Sequence, residues 1–128
     1  MDRFDITKQF VVIDPVKNAS PVDFTPDLFE RLDADFDGFK DCELISAFEF
    51  DTDWPTWEVH PHGDEIVMLL SGEVTFILDL DGKHESLQLT ETGQYLFVPK
   101  GIWHTAKIAV PSKLLFITPG QDTKTKPC

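Results

Sequence analysis

The chain has 128 residues, 27% charged and 41% hydrophobic, which is one soluble domain's worth of sequence. Its 23 acidic residues against 11 Lys and Arg give a formal net charge of -12. That balance argues against nucleic-acid binding, which needs cations to displace phosphate counterions, and disfavours anionic membranes; it names no partner by itself. No apolar run approaches the ~20 residues of a membrane helix, and no basic-then-apolar leader is visible. Cys42 and Cys128 are too few for a disulfide framework. The expectation is a cytoplasmic protein with two thiols.

Phe10 to Ile13 is a short apolar run stopped by Asp14-Pro15. A helix start follows: Thr25 can cap, Pro26 suits the first helical position, and Leu28, Phe29 and Leu32 give a short apolar stripe. The DADFDG segment behind it limits this helix to about two turns. From Leu44 a two-residue period takes over, with Leu44, Ser46, Phe48 and Phe50 on one face. Strands are expected at Thr56 to His60, Glu65 to Leu70 and Val74 to Leu80, the last closed by an Asp81-Gly82 hairpin. His84 to Leu89, Gln94 to Val98, Thr105 to Val110 and Leu114 to Thr118 complete the series. Short strands at this spacing indicate an all-β sandwich or barrel. The division is an N-terminal arm over 1–40, packing a short strand and helix on the barrel, a β-barrel over 41–120, and a loose polar tail over 121–128.

Three of the four histidines fall in two segments. The first runs Trp57-Glu58-Val59-His60-Pro61-His62-Gly63-Asp64-Glu65 and on to Gly72. The second runs from Gly93 through Pro99 and Gly101 to His104. Together they resemble the two motifs of the cupin superfamily. Gly93 to His104 matches the second motif through its histidine, with Ile108 where an Asn is usual. Glu65 to Gly72 matches the end of the first. His60 stands at the second of the family's paired histidines and Glu58 at the first, while His62 is an extra histidine in the turn. The resemblance spans Trp57 to His104. It implies an antiparallel double-stranded β-helix, or jelly roll, around a divalent metal, and a homodimer.

The residues support such a site on their own terms. In a strand, Glu58 and His60 share one face. Glu65 lies past a turn, and His104 can approach from a third strand. Imidazole with carboxylate suits Zn, Fe, Mn or Ni, and two imidazoles with one carboxylate describe the facial triad of non-haem iron oxygenases. The candidate metal ligands are therefore His60, Glu65, His104 and Glu58, with His62 as an alternative. Glu58 is also a candidate catalytic base. The expected function is a metal-dependent enzyme of oxygenase or isomerase type acting on a small organic molecule; the alternative is a non-catalytic ligand-binding module.

Asp33-Ala34-Asp35-Phe36-Asp37-Gly38 opens like an EF-hand loop, and Asp41 fills its ninth position. The twelfth is Leu44, so the ligand list is incomplete. Trp54, Trp57 and Trp103 flank the proposed site and either line a pocket or pack on the wall. Tyr95 and Lys100 adjoin the second motif, and His84 belongs to the surface.

Overall fold

The computed structural model describes residues 2–128. Eleven strands run through it: β1 Gln9–Ile13, β2 Ala19–Asp23, β3 Glu43–Phe50, β4 Thr56–Val59, β5 Glu65–Ser71, β6 Val74–Leu80, β7 Lys83–Leu89, β8 Tyr95–Val98, β9 Trp103–Ile108, β10 Ser112–Thr118 and β11 Lys124–Pro127. One α-helix, α1 Leu28–Asp35, and a 3-10 turn at Asp37–Phe39 lie between β2 and β3. The strands form two antiparallel sheets, ordered β2-β1-β3-β10-β5-β8 and β11-β4-β9-β6-β7. This is the all-β architecture expected, consistent with a jelly roll.

Alternation decides which side chains meet between the sheets. Val67 and Leu69 of β5, Val74, Phe76 and Leu78 of β6, and Leu114 and Phe116 of β10 all turn inward. They form one buried cluster with Trp54 and Ala106. Full burial of a large side chain such as Phe76 contributes about 1.5–3 kcal/mol. A second cluster joins Phe10 and Val12 of β1 to Leu28, Leu32, Phe39 and Leu44. Phe48 packs against both clusters, so β1 and α1 are tied to the main core.

Two local readings are corrected, the helix start and the loose tail, and the Asp-rich run is placed between them. The helix begins at Leu28 with Asp27 as its cap residue, later than Thr25-Pro26 suggests. Thr25 instead hydrogen-bonds to Asp27 (2.5 Å) and accepts from Arg31 (2.7 Å), which fixes the approach to the helix. Asp33 and Asp35 are helical, so the EF-hand-like run is split between helix and turn. The tail is not loose: Lys124, Thr125, Lys126 and Pro127 pair with Val59, Glu58, Trp57 and Thr56. Its side chains are exposed and give no hydrophobic period; backbone pairing holds it, with Lys126 Nζ lying 4.3 Å from the centre of the Trp103 ring.

Two turns depend on left-handed backbone. Asp81 (φ 56°) and Gly82 (φ 85°) both occupy the left-handed region, as a type I′ hairpin requires. Gly72 sits at φ 90°, and a Cβ there would meet Ser112 Oγ and lie 2.7 Å from the Pro111 carbonyl oxygen. Ser112 Oγ accepts the Glu73 N–H at 3.1 Å, so the turn has no slack. Gly72→Ala should therefore cost roughly 2–5 kcal/mol, combining backbone strain with overpacking. Urea unfolding would read this as a lower midpoint at unchanged slope.

Candidate metal centre

The site lies between the sheets at one end. Glu58 on β4 and His104 on β9 are register partners in the five-stranded sheet. His60 follows β4 directly. Glu65 opens β5 and Thr118 closes β10, both in the six-stranded sheet. His60, Glu65 and His104 are buried and Glu58 is half-buried. One donor atom from each of Glu58, His60 and His104 lies within 4.8 Å of the others, a set that could hold a metal ion.

The hydrogen bonds fix which ring nitrogens face that centre. Thr123 Oγ1 donates its single proton to the Gly120 carbonyl (2.9 Å), so it accepts from His60 Nδ1–H (2.8 Å). His104 Nδ1–H donates to the Ile102 carbonyl (3.1 Å). Both Nε2 atoms therefore point inward, carrying a lone pair when neutral. His60 Nε2 lies 3.2 Å from Glu65 Oε2, and His104 Nε2 lies 3.3 Å from Glu65 Oε1. The contacts are close without hydrogen-bond alignment: both Nε2 atoms and Glu65 Oε1 are buried without a hydrogen-bond partner. Thr118 Oγ1 donates to Glu65 Oε2 at 2.5 Å and fixes the carboxylate.

Neutral imidazole lone pairs facing a carboxylate repel unless a cation lies among them. A divalent metal satisfies all these atoms, and the Nδ1 hydrogen bonds are the outer contacts that orient ligand histidines. The donor set therefore fits a divalent metal. Without metal, protons take its place. Burial by itself would raise the Glu65 pKa, but the two facing imidazoles outweigh it and bring it to about 2. Burial would lower the His104 pKa, but Glu65 outweighs it and the net shift is upward. Glu58 is raised by burial and by Glu65, against the pull of both histidines.

These shifts give metal-free protein a definite pH profile. Glu65, depressed from 4.5, contributes stability above pH 4.5 that is lost as pH falls toward 2. His104, raised from 6.5, contributes below pH 6.5 and loses its contribution as pH rises through its folded value. Glu58, raised from 4.5, likewise contributes only on the acid side. Chelator-treated protein should be most stable between about pH 4.5 and 6.5. Glu58→Gln should raise its melting temperature at pH 8 more than at pH 5. Equal shifts at both pH values would contradict this assignment.

The structure thus brings Glu58, His60, Glu65 and His104 together. His62 stands apart, exposed, with Nε2 2.8 Å from Asp122. Trp54 lines the adjoining cavity, whereas Trp57 packs on His84 (5.2 Å) and Trp103 lies under Lys126. Tyr95 points away from the site, and Lys100 is exposed with its backbone N–H on Asp64. The residues missed by motif reading are Thr118 and Thr123. Thr118 continues the inward parity of Leu114 and Phe116, a signal the sequence does carry; Thr123 has none.

The cavity beside the site measures about 750 Å³. Its lining draws on both sheets, on α1 and on the segment before β11.

The Cupin domain family model matches residues 48–118, more than half of the chain, and the chain belongs to the cupin superfamily. No curated protein matches it. Among solved structures, oxalate oxidase is 16% identical at a TM-score of 0.54, over 63% of this chain and 44% of that one. A cupin superfamily protein from Desulfitobacterium hafniense DCB-2 is 25% identical at a TM-score of 0.50, over 59% and 65%. Hydroquinone 1,2-dioxygenase PnpCD, a complex with Cd2+ and 4-hydroxybenzonitrile, is 21% identical at 0.53, over 59% and 56%. The chain thus spans less than half of the oxalate oxidase chain and less than two-thirds of the others. No helix among the described residues is long and apolar enough to cross a membrane.

Proposed function

We propose that the chain is a metal-dependent enzyme of oxygenase or isomerase type acting on a small organic molecule inside a jelly-roll barrel. The observation carrying this reading is the convergence of two buried, partnerless Nε2 atoms and Glu65 Oε1 on one centre beside a large cavity. His60, His104, Glu65 and Glu58 would hold the metal, with Glu58 either a fourth ligand or a base beside it. A bound divalent metal would supply Lewis acidity or, as iron, oxygen chemistry. The chain's own residues do the rest: Thr123 and the Ile102 carbonyl orient the imidazoles, Thr118 orients Glu65, and the aromatic wall excludes water. The names of the solved neighbours, an oxidase and a dioxygenase, accord with an oxidative role.

Anomalous scattering at the centre of protein purified without a nickel column tests the metal and identifies it. A metal peak between His60, Glu65 and His104 is expected; a featureless centre after exposure to Zn, Fe, Mn and Ni would overturn the proposal. A ligand emerging chemically unchanged from the loaded protein would favour the binding-module alternative.

We further propose that residues 1–40 serve as an arm packed on a barrel of residues 41–120, and that the protein acts in the cytoplasm as a homodimer. The outward face of the six-stranded sheet supports pairing. One row across it reads Pro21, Val11, Ile45, Ile117, Ile66 and Phe97 by strand register. The next reads Ala47, Leu115, Met68 and Tyr95. Ten apolar or aromatic side chains without a charge, on a chain of net charge -12, suit a second copy of the same face.

A further inference from the structure

We infer that the cavity selects ring compounds that are neutral or cationic and carry a hydroxyl or amine, and rejects carboxylates and phosphates. The inference rests on the reading of this cavity as a small-molecule site, and names its substrate class.

The wall of the cavity is largely aromatic. Phe29, Phe39, Phe48, Phe50, Trp54 and Phe116 all line the cavity. Four of them form a continuous aromatic surface: Phe50 to Trp54 is 5.5 Å between ring centres, Trp54 to Phe116 is 6.0 Å, and Phe48 to Phe116 is 6.1 Å. Flat rings gain from edge and offset contacts with such a surface beyond the area they bury. Phe29 is 65% exposed at the mouth, an uncovered large apolar side chain that a ligand could shield. The volume of about 750 Å³ suits a drug-sized molecule.

The charge at the cavity is negative. Five carboxylates line the cavity: Asp33, Asp53, Glu58, Glu65 and Asp122. No Lys or Arg among the described residues lines it. An anionic group entering would lose its hydration with no side-chain cation to replace it, among like charges. A divalent metal offsets the charge of Glu58 and Glu65; Asp53 lies 3.9 Å from Lys107 Nζ and Asp122 2.8 Å from His62 Nε2, so Asp33 is the lining carboxylate with no basic partner among the described residues. A hydroxyl or ammonium instead finds acceptors on every side.

A matched series on one ring system tests this: 2-naphthol, 2-naphthylmethylamine and 2-naphthoate, titrated calorimetrically into the full chain with and without added metal. Either or both of the first two should bind at least tenfold more tightly than 2-naphthoate. Phe29→Ala should weaken them several-fold. Asp33→Lys, on the exposed helix surface, should narrow the gap to 2-naphthoate several-fold. Binding of 2-naphthoate as tight as the others, or no binding by any of the three, would overturn the inference. Charge selectivity in protein whose centre takes up no metal would overturn the metal proposal alone, leaving this inference standing. Metal uptake with preference for 2-naphthoate would do the reverse.

Discussion

His104→Ala should leave the purified protein without stoichiometric metal, with affinity lowered by more than ~100-fold, because loss of an outer contact alone already costs about 10–100-fold. His104 is fully buried, and its Nε2 stands 3.3 Å from Glu65 Oε1. Removing the ring leaves a void beside a carboxylate that keeps His60 and Thr118 as neighbours, and that cavity should also cost roughly 2–5 kcal/mol. Stability and metal content can be separated with two further variants. His62→Ala removes an exposed imidazole paired with Asp122 and should retain metal. Thr123→Val keeps His60 but removes its Nδ1 acceptor, so metal affinity should fall by about 10–100-fold. Elemental analysis with urea unfolding reads all three. Full metal content in folded His104→Ala would sink the proposed ligand set.

The four converging side chains were legible because local rules placed them. Glu58 and His60 share strand parity, Glu65 follows a turn, and the Gly93 to His104 motif encodes its own turn. The alternating strands β3 and β6 were legible because one face is buried and the period is two, and β5 was legible as a short apolar run bounded by turns. β2 escaped because its residues ASPVD contain a proline and little apolar periodicity; register with β1 defines it. β11 escaped more completely, because all four of its side chains are exposed. Its importance is positional: pairing Thr125 with Glu58 brings Thr123 onto His60. A contact across 63 positions in sequence has no local signature. Side-chain polarity alone could not separate a free tail from an edge strand held by its backbone.

Ile117→Asp should turn dimers into monomers, with the association constant falling by at least ~100-fold. Ile117 lies mid-row, between Ile45 of β3 and Ile66 of β5. Six strands at about 4.8 Å spacing spread this face over roughly 24 Å. A two-fold contact presents the same patch from both copies, so one substitution introduces two carboxylates into one apolar interface. Burying them there, near each other and without cations, opposes pairing far more than the lost methyl groups do. At Phe97, 57% exposed on the edge strand β8, Phe97→Ala should weaken pairing less, since it removes area and adds no charge. The inward face is untouched by either change, so metal content should persist in both variants. Light scattering across a concentration series distinguishes the cases. A wild-type protein that remains monomeric at high concentration would refute the pairing, and a dimer indifferent to Ile117→Asp would move it to another surface.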